Sequence, residues 1–148
     1  MSAAVAIVGA AESERLGRQP ECSAIELAAQ SVRGALADCG LTIDDVDGLA
    51  SAELSTVDLA DYTGIRPAWI DTTSVGGCSY MAHVRHAAAA IAAGLARTVV
   101  IAHGESGRSK VGQTPWRRTP GGIVEQFEEP FGTPVSYTHL TLPTIYSV

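Results

Sequence analysis

Apolar residues come in short runs and stripes along this chain, and their spacing changes in step with the turn residues between them. Residues 4–8 (Ala-Val-Ala-Ile-Val) are continuously apolar and end at Gly9, which predicts a short, fully buried strand. A polar loop over residues 12–21 follows. Ser23 with Glu26 three residues on is a capping-box signature, and Ile25, Ala28, Ala29, Val32, Ala35 and Leu36 form one face of a helix that Gly40 ends. Residues 46–52 predict a second strand. Ser55 and Asp58 cap a short helix that stops at Gly64. A third strand is predicted over 69–73, and the alanine-rich stretch 81–93 predicts a helix buried on nearly all sides and closed by Gly94. Residues 98–102 (Thr-Val-Val-Ile-Ala) predict a fourth strand, followed by the turn His103-Gly104-Glu105-Ser106-Gly107.

Alternating strands and helices imply a layered α/β fold on a mostly parallel sheet, with ligand sites at the carboxyl ends of the strands. Gly76-Gly77-Cys78 and His103-Gly104-Glu105 both fall at such ends. From 107 to 134 the chain reads as a loop broken by Pro115, Pro120, Gly121 and Gly122, with room for a helical turn over 123–129. Residues 135–148 hold no Asp, Glu, Lys or Arg; propensity alone makes them a strand. Residues 136–144 also resemble translated sequencing adapter, which sets a native partial domain at 1–134 and a non-native tail at 135–148.

Composition narrows the function. A net charge of −6 argues against nucleic-acid binding, and Arg117-Arg118, the adjacent basic pair, reads as a solvated loop. Nothing approaches the ~20 apolar residues of a membrane span, and the opening lacks the pattern of a secretory signal, so a cytoplasmic protein is expected. Three widely spaced cysteines, Cys22, Cys39 and Cys78, suggest neither a disulfide framework nor a metal site.

Cys78 would start a buried helix after two glycines, where backbone N–H groups and the helix dipole favour a thiolate; the alternative is a small Cys that only packs. His83 and His86 lie one turn apart, without further ligands in register for a metal, and are expected to hydrogen-bond across an interface or to backbone. His103 ends a buried strand. Glu105 could act as a base or orient a loop, or could accept turn N–H groups. The first turn, Gly9-Ala10-Ala11-Glu12, lacks the second and third glycines of a dinucleotide fingerprint.

The segments Val75-Gly76-Gly77-Cys78-Ser79-Tyr80, residues 90–96, and His103-Gly104-Glu105-Ser106 together resemble the thiolase superfamily, closest to its sterol-carrier-protein-x and lipid-transfer subgroup. The resemblance implies the first half of a layered α/β fold and a coenzyme A thioester substrate, with no bound cofactor. It also implies a homodimer and a small zinc-ribbon/OB-fold partner. Gly76, Gly77, Ser79, His103, Gly104 and Glu105 would wall the site. Counted back from Gly94 and Glu105, the family's nucleophile position falls on Gly77 rather than Cys78. One helical residue is about 100° of rotation, and Tyr80 replaces a small glycine. Both departures favour a relative resembling the steroid side-chain retro-aldolases, whose acid/base residues would come from the second half. The expected function is acyl-CoA carbon–carbon bond chemistry, as a thiolase-like acyltransferase or a retro-aldolase on lipid- or steroid-type thioesters, with a non-catalytic acyl-CoA or lipid-binding subunit as the alternative.

Overall fold

The computed structural model describes residues 5–52, 54–106, 109 and 111. The readings made for 107 and 108 and for 112–148, including the adapter-like tail, lie outside them.

Two helices and their caps follow the local sequence closely. Helix α1 (Ala24–Cys39) begins after Ser23, whose Oγ accepts from Glu26 N at 3.4 Å, and ends at Gly40 in the left-handed region (φ 71°). Only half of the expected capping box forms. The Glu26 carboxylate instead takes the Tyr62 hydroxyl, Gln30 and Arg33, so a tertiary contact displaces the reciprocal cap. Helix α2 (Thr56–Thr63) starts at Ser55, whose Oγ accepts from Asp58 N, and stops at Gly64 (φ 81°).

The sheet has three parallel strands, β1 (Gly48–Ala50), β2 (Trp69–Asp71) and β3 (Val99–Ile101), in the order β2-β1-β3. Gly48 sits opposite Trp69 on one side and Val99 on the other. All three residues of β1 are buried. Leu49 points into a cluster with Val32, Leu36, Val46, Leu59 and Ile65, which joins α1 and α2 to the sheet. Helix α3 (Ser79–Ala92) lies against β2 and β3.

Two expectations fail. Residues 5–8 form no strand; Val5, Ile7 and Val8 are exposed, and the segment pairs with neither edge of the sheet. It rests on α1 instead: Ala10 N donates to Asp38 at 3.1 Å, and a Cβ at Gly9 would stand 2.3 Å from the Ala35 carbonyl oxygen. An apolar run gains strand structure only from a neighbouring strand's hydrogen bonds, and this segment pairs with neither β2 nor β3. Helix α3 is also buried on one face only, through Ser79, His83, Ala87 and Ala90, while Met81 is 73% exposed. An alanine-rich helix carries too little polar contrast for its sequence to show which side is covered. The four-residue spacing of Ser79, His83 and Ala87 is the stripe of a helix packed on one layer.

The chain order gives the sheet a switch point. From β1 the chain steps outward through α2 to β2, then returns through α3 past β1 to β3. The direction reverses between β1 and β3, and in parallel α/β sheets the crevice beyond the carboxyl ends at such a reversal is where ligands bind. His103 stands just past the end of β3 at this place.

Candidate active site at the carboxyl edge of the sheet

The turn into α3 is built by its own residues. Gly76 takes a left-handed conformation (φ 79°), which a side chain would strain. Ser79 is fully buried; its Oγ donates to the Gly76 carbonyl at 2.6 Å and accepts from Val75 N at 2.9 Å, while Ser79 N donates to the same carbonyl at 2.9 Å. This ties the loop to the first turn of the helix. Ser79 is therefore spent on shaping the site. Among the described residues, a Cβ added at Gly76 or Gly77 would meet nothing within 4 Å.

Cys78 is the residue before the first helical position, exposed, with Sγ donating to the Val75 carbonyl at 3.4 Å. Cys39 and Cys22 have packing roles. Cys39 Sγ meets the carbonyls of Ala35 and Leu36, and Cys22 is buried.

Two residues past Cys78 and next to the buried Ser79, Tyr80 reaches across to the end of β3. Its hydroxyl lies 2.5 Å from His103 Nδ1, with the ring centroids 4.9 Å apart. The other side of Tyr80 meets His83 edge-on at 5.8 Å. His83 has no solvent exposure, and its Nε2 is 2.9 Å from the Thr73 carbonyl oxygen. A carbonyl only accepts, so His83 Nε2 carries a proton; Nδ1 is buried without a partner among the described residues. His86 meets Asp71 at 2.7 Å. A backbone carbonyl thus takes up His83 and a carboxylate takes up His86; among the described residues no group of three His, Cys, Asp or Glu side chains is placed to hold a metal.

Asp71 closes β2. Burial presses its carboxyl upward as the largest single influence, but the Thr73 hydroxyl and N–H, at 2.7 and 2.8 Å, together with His86 and the nearby His83, hold it below its ordinary value of 3.8. Beside it, Trp69, Ile70, Asp71, His86, Ala89, Ala90, Ala93 and Leu95 line an open cleft of about 450 Å³ on the β2 side.

The sequence-derived candidates separate into three groups. Gly76, Gly77 and Cys78 form the open turn, and His103 joins it through Tyr80. Gly104 is buried against α1, where a Cβ would lie 2.0 Å from the Ala24 carbonyl oxygen. Glu105 is exposed, and no backbone N–H of the turn donates to it among the described residues. The sequence reading noted Tyr80 only as a departure. Its pairing with a residue 23 positions away has no linear signal, although the first turn of a helix entering the carboxyl edge of a sheet is where such a side chain is worth seeking.

No family profile matches the chain. Among curated proteins, it is 36% identical over 141 residues to the 17-hydroxy-3-oxo-4-pregnene-20-carboxyl-CoA lyase of Mycobacterium tuberculosis, covering 88% of this chain and 36% of that protein. It is also 36% identical over 115 residues to a steroid side-chain-cleaving aldolase of Thermomonospora curvata, covering 74% of this chain and 28% of the relative. Among solved structures, the Ltp2–ChsH2(DUF35) aldolase superposes with a TM-score of 0.65 at 30% identity, covering 89% of this chain and 34% of that one. A monomeric SCP2-thiolase like protein type 1 from Mycobacterium smegmatis gives a TM-score of 0.54 at 28% identity, over 64% of this chain and 22% of its own. The chain belongs to the thiolase superfamily, in its sterol-carrier-protein-x and lipid-transfer subgroup. It spans about a third of the length of the curated relatives it matches.

Proposed function

We propose that the protein carrying this chain is an enzyme that breaks a carbon–carbon bond in a steroid-type coenzyme A thioester by retro-aldol chemistry, and that residues 76–79 and 103–105 supply part of its site. The observation that carries this reading is the turn at Gly76–Cys78: glycine occupies the position where thiolases keep their nucleophile, with no described residue within 4 Å of a Cβ at Gly77, while the Cys78 thiol is turned back onto the Val75 carbonyl. A thiolase needs a sulfur aimed at the thioester carbonyl. A retro-aldolase needs only room for the thioester and groups that move a proton from a β-hydroxyl to the departing enolate.

The relatives' names support the same class, one being a carboxyl-CoA lyase and the other a steroid side-chain-cleaving aldolase. On this reading the substrate is a β-hydroxy acyl-CoA with a steroid-like acyl group, the products are a ketone and a shorter acyl-CoA, and the 148 residues alone are inactive. No cofactor is required. The paired name Ltp2–ChsH2(DUF35) aldolase supports a second component in the working enzyme; that this is a small zinc-ribbon/OB-fold subunit beside a homodimer of the thiolase-like chain is carried by the family resemblance alone. No helix among the described residues is long and apolar enough to cross a membrane.

The test is to incubate the parent protein and its partner with a 17-hydroxy steroid 20-carboxyl-CoA thioester and follow release of ketone. Cys78→Ala should retain more than half of the wild-type turnover. Loss of turnover by about 100-fold or more with the protein still folded would restore Cys78 as a nucleophile and reject the retro-aldol reading.

A further inference from the structure

The strand end that leads into the turn at Gly76–Cys78 is tied down from several sides, and one side chain gathers the ties. Asp71 is the last residue of β2, and its Oδ1 accepts both the Thr73 N–H at 2.8 Å and the Thr73 hydroxyl at 2.7 Å. A carboxylate that takes the N–H two residues ahead turns the chain out of the strand. Oδ2 accepts from His86 Nδ1 at 2.7 Å, which joins the same carboxylate to the middle of α3. The Asp71 carbonyl takes Ser51 N at 3.2 Å and the Thr56 hydroxyl at 3.3 Å, so the end of β1 and the start of α2 hold its backbone.

Thr73 carries this anchor forward. Its carbonyl accepts from Nε2 of the fully buried His83 at 2.9 Å, and two residues on Val75 N donates to Oγ of the buried Ser79 at 2.9 Å. Thr73 and Val75 are thus both fixed to α3, and the turn at residues 76–78 springs from that base. His83 and Ser79 hold the segment only while Thr73 and Val75 stand within their reach. Asp71 sets that reach, with two bonds to Thr73 and a third to α3. Its carboxyl is held below its ordinary value, so it is charged at neutral pH, and among the described residues His86 and His83 are the titratable groups that face it, both from α3.

We propose that Asp71 is a positioning residue of the thioester site, holding the turn at residues 76–78 against α3 through Thr73 and His86; this rests on the reading above that residues 76–79 supply part of that site. Asp71 acts without touching the substrate. It fixes where Gly77 and Cys78 stand, so that the thioester meets a wall already formed and does not have to order one on binding. Loss of the carboxylate therefore weakens substrate binding more than it slows the chemical step.

Two readouts in the parent enzyme with its partner test this. In cleavage of a 17-hydroxy steroid 20-carboxyl-CoA thioester, Asp71→Ala should raise KM by about tenfold with kcat changed by less than about threefold. Asp71→Asn keeps an acceptor for Thr73 and should recover most of that loss. A side chain that only stabilised the fold would lower the active fraction, and with it the apparent kcat, at unchanged KM. The second readout needs no turnover: timed alkylation of the exposed Cys78 by iodoacetamide, read by mass spectrometry, with the buried Cys22 reporting global opening. Asp71→Ala and His86→Ala should each raise Cys78 labelling by about threefold or more and leave Cys22 unchanged. The His86 side chain is 45% exposed, so its removal spares the core and decides the matter even where Asp71→Ala fails to fold. KM and Cys78 labelling both near wild type, or Cys22 and Cys78 labelling rising together, overturns the assignment and leaves the aldolase reading standing. Absence of thioester cleavage by the wild type overturns the aldolase reading, and Cys78 labelling still decides whether Asp71 holds the turn.

Discussion

Asp47 shows how much one side chain can contribute when it closes a turn rather than fills a core. Its carboxylate accepts Arg97 N at 2.8 and 3.0 Å and Thr98 N at 2.8 Å, and its backbone N–H donates to the Thr98 carbonyl at 3.2 Å. It thereby ties the start of β1 to the start of β3 and sets their parallel register. Burial pushes its carboxyl up as the largest single influence, yet the N–H groups of Thr98 and Arg97, with the Arg97 charge, bring it below 3.8. Asp47→Ala should cost about 1–2 kcal/mol in a denaturant melt, since charge-assisted bonds to a half-buried carboxylate are worth that much. The pH effect has a definite sign. A carboxyl whose folded value is depressed stabilises the fold fully above its unfolded value and loses that contribution as pH falls through the folded value. Wild-type melting temperature should drop on acidification below about pH 4, and Asp47→Ala should flatten that drop in part, leaving the share carried by Glu26, Asp45 and Asp71.

At the scale of elements, glycines separate packing from function. Gly104→Ala places a methyl group 2.0 Å from the Ala24 carbonyl and 2.8 Å from Ala28 N, both backbone atoms of α1 that cannot swing aside. It should destabilise by about 3 kcal/mol or more, at the upper end of overpacking costs. Gly77→Ala meets nothing within 4 Å among the described residues; its melting curve should match wild type, while KM for the thioester rises in the parent enzyme if that space is where the substrate lies. Equal melting losses in the two variants would contradict this division. The same local-versus-distant distinction governs what the sequence reveals. Ser23 with Gly40 and Ser55 with Gly64 mark α1 and α2 because a cap is satisfied within three or four residues. The turn at Gly76–Cys78 is legible for the same reason. Val5, Ile7 and Val8 look like a strand, but pairing requires a partner that their own composition does not specify, and the Tyr80–His103 contact is equally non-local. The one-sided burial of α3 is hidden because alanine is tolerated on either side of a helix.

Across the described part of the molecule, apolar exposure follows what the sheet leaves uncovered. Ile7 is 81% exposed and Val8 62%, on a segment that no strand receives, while Met81 at 73% and Leu95 at 58% lie on and just beyond α3, away from its stripe of buried residues. Single exposed hydrophobes are ordinary, but neighbouring ones on a chain that spans about a third of its relatives mark surface that a larger assembly would cover. The 148-residue chain should therefore self-associate. Light scattering after size exclusion should show a mass that rises with concentration, and replacing Ile7 and Val8 together with Ser should reduce it without altering the melt of α1 and the sheet, because neither side chain contributes to the core. A strictly monomeric chain at high concentration would mean that these side chains find cover within the chain itself. If the double replacement unfolded the protein, residues 5–8 would instead be a structural strand, as their apolar run suggests.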